Sequence, residues 1–360
     1  MLLSHGRGWR TWLWCAAGLL GLACSLSAGA RTASEPYTLR IVGGLATLNQ
    51  YTRQEEPFWT RELPKLSNGR YRAEIVPFDR AGVPGSEMLN LLQLGVVPFG
   101  TVLMSSFTAD HPEYTAPDLA GLNPDVATLR STLAAFRPYL ETSLRERLNV
   151  QVLAIYTYPA QVVFCKRPMA ALADLRGRRV RVSSSTQADF VGALGGIPVL
   201  TSFAQIVPNL QSGGTECAIT GTMSGNILGL HTLTSHLHVL PITWGLAIFG
   251  AHRPTWEALP ADLRELLQRE LPKLERAVWA ESERETADGI ACNQGAPSCA
   301  GGRKGSMSVV PVGREDEISR REILESHVLP RWIQRCGNAC AQLWNQTIGP
   351  VRGLTARPAR

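Results

Sequence analysis

The chain has 360 residues, is 44% hydrophobic and 18% charged, and carries a formal net charge of +6. That apolar content with so modest a charge excludes a disordered chain, and the length allows a substantial core and two domains. Only Lys65, Lys166, Lys273 and Lys304 of the 36 basic residues are lysine, and the arginines are scattered apart from short clusters at Arg176–Arg181 and Arg320–Arg321, without the patch of a nucleic-acid face.

Arg7 and Arg10 precede an apolar run from Trp12 to Leu26, which ends at Ala28-Gly29-Ala30. This order predicts a secretory signal over residues 1–30 with cleavage after Ala30, the run being short for a membrane span. Cys24 offers lipidation as an alternative, disfavoured by Gly21 three residues before it. Removing residues 1–30 leaves 34 basic against 30 acidic residues, a net of +4. The most apolar later stretch, Pro241–Ala251, contains a proline and is far shorter than the ~20 residues of a span. The expected address is the periplasm.

Tyr37–Val42 alternates as a strand and stops at Gly43-Gly44. Gln50–Leu66 follows with a helical apolar side (Tyr51, Phe58, Trp59, Leu63, Leu66), and Asn68-Gly69 turns the chain into a strand over Tyr71–Val76. Ser86–Leu94 predicts a helix closed by Gly95, Val96–Met104 a buried strand, Asp125–Leu148 a long amphipathic helix and Val150–Tyr156 a strand. The second half repeats the alphabet. Gln161–Cys165, Arg179–Val182 and Cys217–Thr220 read as strands, Thr186–Leu194 and Phe203–Leu210 as helices, and Ala171–Leu175 as a helical turn. Pro260–Ile290 predicts a solvated helix running over the body. Strands alternating with helices give an α/β chain with a mostly parallel sheet in each half.

Six cysteines follow Cys24, an even number suited to an oxidising compartment. Cys292 with Cys299 and Cys336 with Cys340 are close enough in sequence for local disulfides, helped by Gly295 and Gly337; the same four match no common zinc-finger spacing. His236-Leu-His238 would put two rings on one side of a strand. With no third ligand nearby they read as polar residues on its wet face rather than a metal site. No nucleophile elbow, phosphate loop, dinucleotide fingerprint or zinc-protease motif occurs, so neither catalysis nor a cofactor is expected. An exported chain of this kind is first a binder, with a ligand cleft between two lobes.

Asp174-Leu-Arg-Gly-Arg-Arg-Val-Arg181-Val182 resembles the "D-L-[KR]-G-x-[KR]-[ILV]-R-V" core of the solute receptors of tripartite ATP-independent periplasmic (TRAP) transporters, the DctP-like family. "ALGGIPVLTSFAQIVPNLQSGGTECA" (Ala193–Ala218) is similar to that family's "alGa-P--m-f-E-y-aLq-G-vDG". "FWTRELPKLSNGRYRAEIVP" (Phe58–Pro77), Glu87–Gly95 and Trp256–Leu263 match further motifs in the expected order. The resemblance implies a two-lobed periplasmic binding protein fold, with a ligand cleft between the lobes, connecting strands and a long spanning helix. It implies lobe I over 31–158 and about 247–290, lobe II over 159–246 and about 291–325, and a C-terminal helix and tail over 326–360.

The resemblance also assigns Arg181 to a ligand carboxylate, a role suited to the planar guanidinium fork. Gln161 stands where some sialic-acid-binding members carry a second arginine. Thr220 falls at the family's polar residue after "D-G", which here reads Glu216-Cys217, and Phe203 at an aromatic that lines the pocket. Gln205 and Val207 replace the glutamate and tyrosine of "f-E-y", and residues 292–305 have no counterpart. Thr47 and Asn49 after the first strand, with Ser105 and Ser106 after the Val96–Met104 strand, are candidate contacts from the other lobe. One retained arginine favours a monocarboxylate or small organic acid over sialic acid. The expected partners are that ligand and the membrane subunits of a transporter. The alternatives are the receptor of an ATP-driven importer or of a sensor, and an exported enzyme that uses the histidines or cysteines.

Overall fold

The computed structural model describes residues 36–358, so the signal-peptide and Cys24 readings lie outside the described residues. Two mixed sheets carry the fold. The first has strand order β2-β1-β3-β10-β4, built from β1 (Tyr37–Gly43), β2 (Tyr71–Pro77), β3 (Phe99–Leu103), β4 (Val150–Thr157) and β10 (Leu246–His252). The second has order β11-β9-β5-β8-β6-β7, built from β5 (Gln161–Cys165), β6 (Arg179–Val182), β7 (Ile197–Leu200), β8 (Cys217–Gly221), β9 (His236–Thr243) and β11 (Ser308–Val310).

Each sheet is mostly parallel, as the sequence predicts, with one strand reversed. In the first, β10 runs antiparallel to both β3 and β4; in the second, β5 runs antiparallel to both β8 and β9. The cause is the way the chain changes sheets. It passes from β4 to β5 through Tyr158–Ala160 and from β9 to β10 through Trp244–Gly245. A strand that enters a sheet from such a short link must run away from the edge at which its neighbours end. All the C-terminal ends of the remaining strands therefore meet at one edge of each sheet, together with the starts of β5 and β10.

Local chemistry explains the helices. Asp125 caps the helix Val126–Leu148 by accepting from Thr128 N at 2.7 Å, and Leu129, Leu133, Phe136, Leu140, Leu144 and Leu148 form its buried stripe. Residues Gln50–Leu66 are helical as expected, with wide turns at Gln50–Glu55 and Phe58–Glu62. Trp59 and Leu63 are buried there, with the Trp59 ring 5.3 Å from that of Phe249 on β10.

The long helix is Ala261–Gln294, and it is more than a solvated cover. Trp279 Nε1 donates to Ile155 O (2.8 Å) and Ser282 Oγ to Thr157 O (2.5 Å) on β4, while Asn293 Nδ2 donates to Thr222 O (2.9 Å) just after β8. Its leucines supply the burial and these hydrogen bonds fix it to both sheets. At Gly289 it meets the helix Thr222–Ile227 so closely that a β-carbon would lie 2.5 Å from the Thr222 carbonyl carbon. Disulfides join Cys165 to Cys217 across β5 and β8, Cys292 to Cys299 beyond the long helix, and Cys336 to Cys340 between two C-terminal helices.

Candidate ligand-binding site

A pocket lies where the two strand-end edges face each other. Met104 and Ser105 after β3, with Gly245 and Leu246 at the start of β10, form its first wall; Gln161, Ser183, Ser184, Gln187 and Thr243 form the second. It encloses about 380 Å³ of atom-free space, open mouth included. Strand ends in α/β sheets are where ligands are held, because helix N-termini and loop amides converge there.

The second wall is a polar network. Ser184 caps the helix Ser185–Ala193, accepting from Gln187 N at 3.3 Å. The Gln187 amide oxygen accepts from Ser183 N (2.8 Å), and its Nε2 donates to Gln161 Oε1 and to Thr243 Oγ1, both at 2.7 Å. Gln161 thus spends its acceptor within the wall, while its amide nitrogen packs on Gly245. Gly245 has φ +73° and no room for a β-carbon, so both its backbone and its bareness are required.

Arg181 sits behind this wall on β6 and is 3% exposed. Its Nε and Nη2 donate to Thr201 O (3.1 and 2.8 Å) and its Nη1 to Ile219 O (2.8 Å). Three of the five guanidinium N–H donors are thereby used, all on neutral carbonyls, and no carboxylate pairs with it among the described residues. Burial alone pushes its pKa down to about 10. A buried charge met only by dipoles is short of a counter-ion.

The other sequence candidates divide. Ser105 lines the pocket, and Ser106 turns back to Leu103 O at 2.6 Å. Thr220 is buried on β8 next to the carbonyl that holds Arg181, and Phe203 is half-buried against the core at the turn after β7. Neither forms part of the pocket wall. Glu216 is placed elsewhere: it precedes β8 at the end far from the pocket, where it pairs with Arg167 (2.8 Å) and accepts from Arg179 N (3.2 Å). Asn49 donates to the Glu285 carboxylate instead, in a second cavity that it shares with Arg53, Met223 and Asp288. It stands at the N-terminal cap of the helical turns that start at Gln50. Thr47 is exposed.

His238 is fully buried and not on a wet face. Its Nε2 lies 3.1 Å from Asp316, on the helix Arg314–Ile323 that covers β9, and burial holds its pKa low. Asp288, Cys292 and Cys299 converge within 4.8 Å, but the two sulfurs are joined, and Asp288 accepts from Ala300 N and Gly301 N, so this group reads as a loop clasp.

Structure alone found Gln187, Thr243 and Asp118 as wall residues. Asp118 accepts from Trp244 N (3.0 Å) and Gly245 N (2.7 Å), and burial pushes its carboxyl up to about 7. Ser183-Ser184 directly after a strand, followed by a helix, was a readable signal for the Ser183–Gln187 turn. Asp118 carried none.

The sequence model of the DctP family, described as bacterial extracellular solute-binding protein, family 7, matches residues 45–293. The chain belongs to the DctP family. That family consists of solute-binding proteins and not of enzymes. A relative in Salmonella typhimurium, the uncharacterized protein YiiZ, is 24% identical over 194 residues, covering 51% of this chain and 58% of its own length. Among solved structures, Bordetella pertussis DctP7, an extracytoplasmic solute receptor binding pyroglutamic acid, superposes with a TM-score of 0.74 at 19% identity, covering 86% of this chain and 98% of its own. A TRAP periplasmic solute-binding protein from Desulfovibrio salexigens, with bound orotic acid, gives 0.75 at 17% identity, with coverages of 86% and 96%. These likenesses show the two-lobed periplasmic binding protein fold, so the DctP sheets are its two lobes and the pocket is the cleft between them.

Proposed function

We propose that the chain is the extracytoplasmic solute receptor of a TRAP transporter, exported to the periplasm, where it captures a small organic acid and delivers it to the membrane subunits. The observation that carries this reading is Arg181, a buried guanidinium with two unspent N–H donors beside the cleft and no protein counter-ion. A ligand carboxylate supplies what is missing, in the bidentate geometry that the fork favours. The acid reaches it when the cleft opens, and contacts from both lobes then favour the closed form by population shift. Gln161 contributes a polar contact on the sheet that carries Arg181 and Ser105 one from the facing lobe, while Thr220 and Phe203, outside the pocket wall, support that sheet from behind. The cleft is bounded by lobe I over 31–158 and about 247–290, and lobe II over 159–246 and about 291–325. Glu216 and Asn49 take no part.

Pyroglutamic and orotic acids, bound by the two solved structures above, define the ligand class to try: compact acids with one carboxylate and ring polar groups. Thermal-shift screening against these, succinate and sugar acids, repeated with chelator and with reductant, tests the reading. Stabilisation by an acid, indifferent to chelator, is expected. A protein that no acid stabilises, or that loses stability with chelator alone, would overturn it.

A further inference from the structure

Among the described residues lining the cleft pocket, Asp118 alone is ionisable. It ends the helical turn Pro112–Asp118 and is held in place by the Trp244 and Gly245 amides of the link between β9 and β10. No arginine or lysine pairs with it among the described residues. A carboxylate offers about four acceptor positions, and the three backbone donors of Trp244, Gly245 and Leu246 do not exhaust them. The pocket is therefore bipolar. Arg181 lies behind one wall without an anion, and Asp118 stands in the other without a cation.

We propose that Asp118 determines which acids are taken: it accepts a hydrogen bond from an N–H or O–H of the ligand, so the receptor selects a monocarboxylate bearing such a donor and rejects a dicarboxylate. The inference rests on the receptor reading above. Three physical points support it. The three backbone amides fix the carboxylate before the ligand arrives, so little ordering is left for binding to accomplish. A second carboxylate on the ligand would face a carboxylate across a narrow pocket with no cation between them, a repulsive element of the kind that creates specificity. An acid without a donor would leave this partly desolvated acceptor unpaired, which costs more than a lost contact. Asp118 holds its proton unusually well for an aspartate, as expected of a carboxyl that burial surrounds with dipoles alone.

Isothermal calorimetry with matched probes tests this on the intact protein. Pyroglutamate is compared with its lactone analogue, in which the ring N–H is replaced by oxygen, and lactate with propionate; succinate is the dicarboxylate arm. Wild type should bind the donor-bearing member of a pair at least tenfold more tightly, the size of one hydrogen bond to a charged group. Succinate should bind more weakly than either donor-bearing acid at pH 8. Asp118→Asn should narrow the gap within a pair to about threefold or less, and far-ultraviolet circular dichroism should confirm that it folds. Should the variant fail to fold, the wild-type pairs still decide. Equal affinity within the pairs, a best ligand without a donor, or an unchanged gap in a folded Asp118→Asn overturns the role of Asp118 and leaves the receptor standing. Failure of every acid to bind wild type overturns both.

Discussion

Replacing Arg181 with methionine should leave stability nearly unchanged while affinity falls. The guanidinium is 3% exposed, and its pKa falls from 12.5 to about 10 through burial alone. At about 1.4 kcal/mol per unit, holding that charge without a ligand costs the folded protein about 3 kcal/mol. Methionine removes this cost and keeps most of the packing, but it leaves the carbonyls of Thr201 and Ile219 short of donors, a loss of about 1–3 kcal/mol. The two nearly cancel. The unliganded variant should therefore unfold in urea within about 1 kcal/mol of wild type. Binding should suffer far more, because an acid brought into the closed cleft would meet no guanidinium; losing one partner of a buried charged pair costs about 2–5 kcal/mol, roughly thirtyfold to several-thousandfold in Kd. Calorimetry with the acid found by screening, alongside urea titration of the ligand-free protein, reads both quantities. A variant destabilised by several kcal/mol whose Kd is unchanged would show that Arg181 is a structural clamp on β7 and β8 and would refute the carboxylate role.

Glu55 is fully buried and accepts from Gly44 N (2.7 Å) and Thr101 Oγ1 (2.5 Å), and burial pushes its carboxyl up from 4.5 to about 7. A folded pKa above the unfolded one means stability fully present below about 4.5 and lost as pH rises through about 7, here on the order of 3 kcal/mol. Glu55→Gln should remove only its own share of that decline, because Asp118 and Glu285 are pushed up to about 7 as well; urea midpoints at pH 5 and pH 8 that fall equally in both proteins would contradict it. Gly289→Ala forces the long helix away from Thr222–Ile227, and the overpacking cost of about 2–3 kcal/mol outweighs the ~1 kcal/mol that alanine returns in helix propensity. A lower urea midpoint is expected, and an unchanged one would show that the two helices separate freely.

Much of this chain is legible without coordinates because its elements are local. Asp125 followed by leucines every three or four residues specifies a capped helix wherever it lies, and Gln161–Cys165 and Arg179–Val182 form strands at the bounds read from the sequence. The motif ending at Val182 selected Arg181, and the export-type order of residues 1–30 needs no fold at all. What the sequence hides depends on partners distant along the chain. Pro241–Ala251 carries parts of β9 and β10, but its proline and apolarity conceal two strands; β9 accommodates Pro241 where its register against β5 slips, and β10 is apolar from Leu246 to Ala251 because it is buried on both sides. Cys165 and Cys217 become a disulfide only because antiparallel pairing sets them opposite each other, 52 residues apart. His238 turns inward because Asp316, 78 residues later, offers it a buried partner.

The candidate site divides along the same line. Sequence by itself determined an α/β chain of the DctP kind and singled out Arg181 as a candidate, since helix caps, strand patterns and a family motif are properties of short segments. Tertiary structure decided that Asp118, Gln187 and Thr243 join the cleft while Glu216 and Asn49 leave it. Membership in a cleft depends on which strand ends share an edge, and short links between two sheets, not residue type, set that edge.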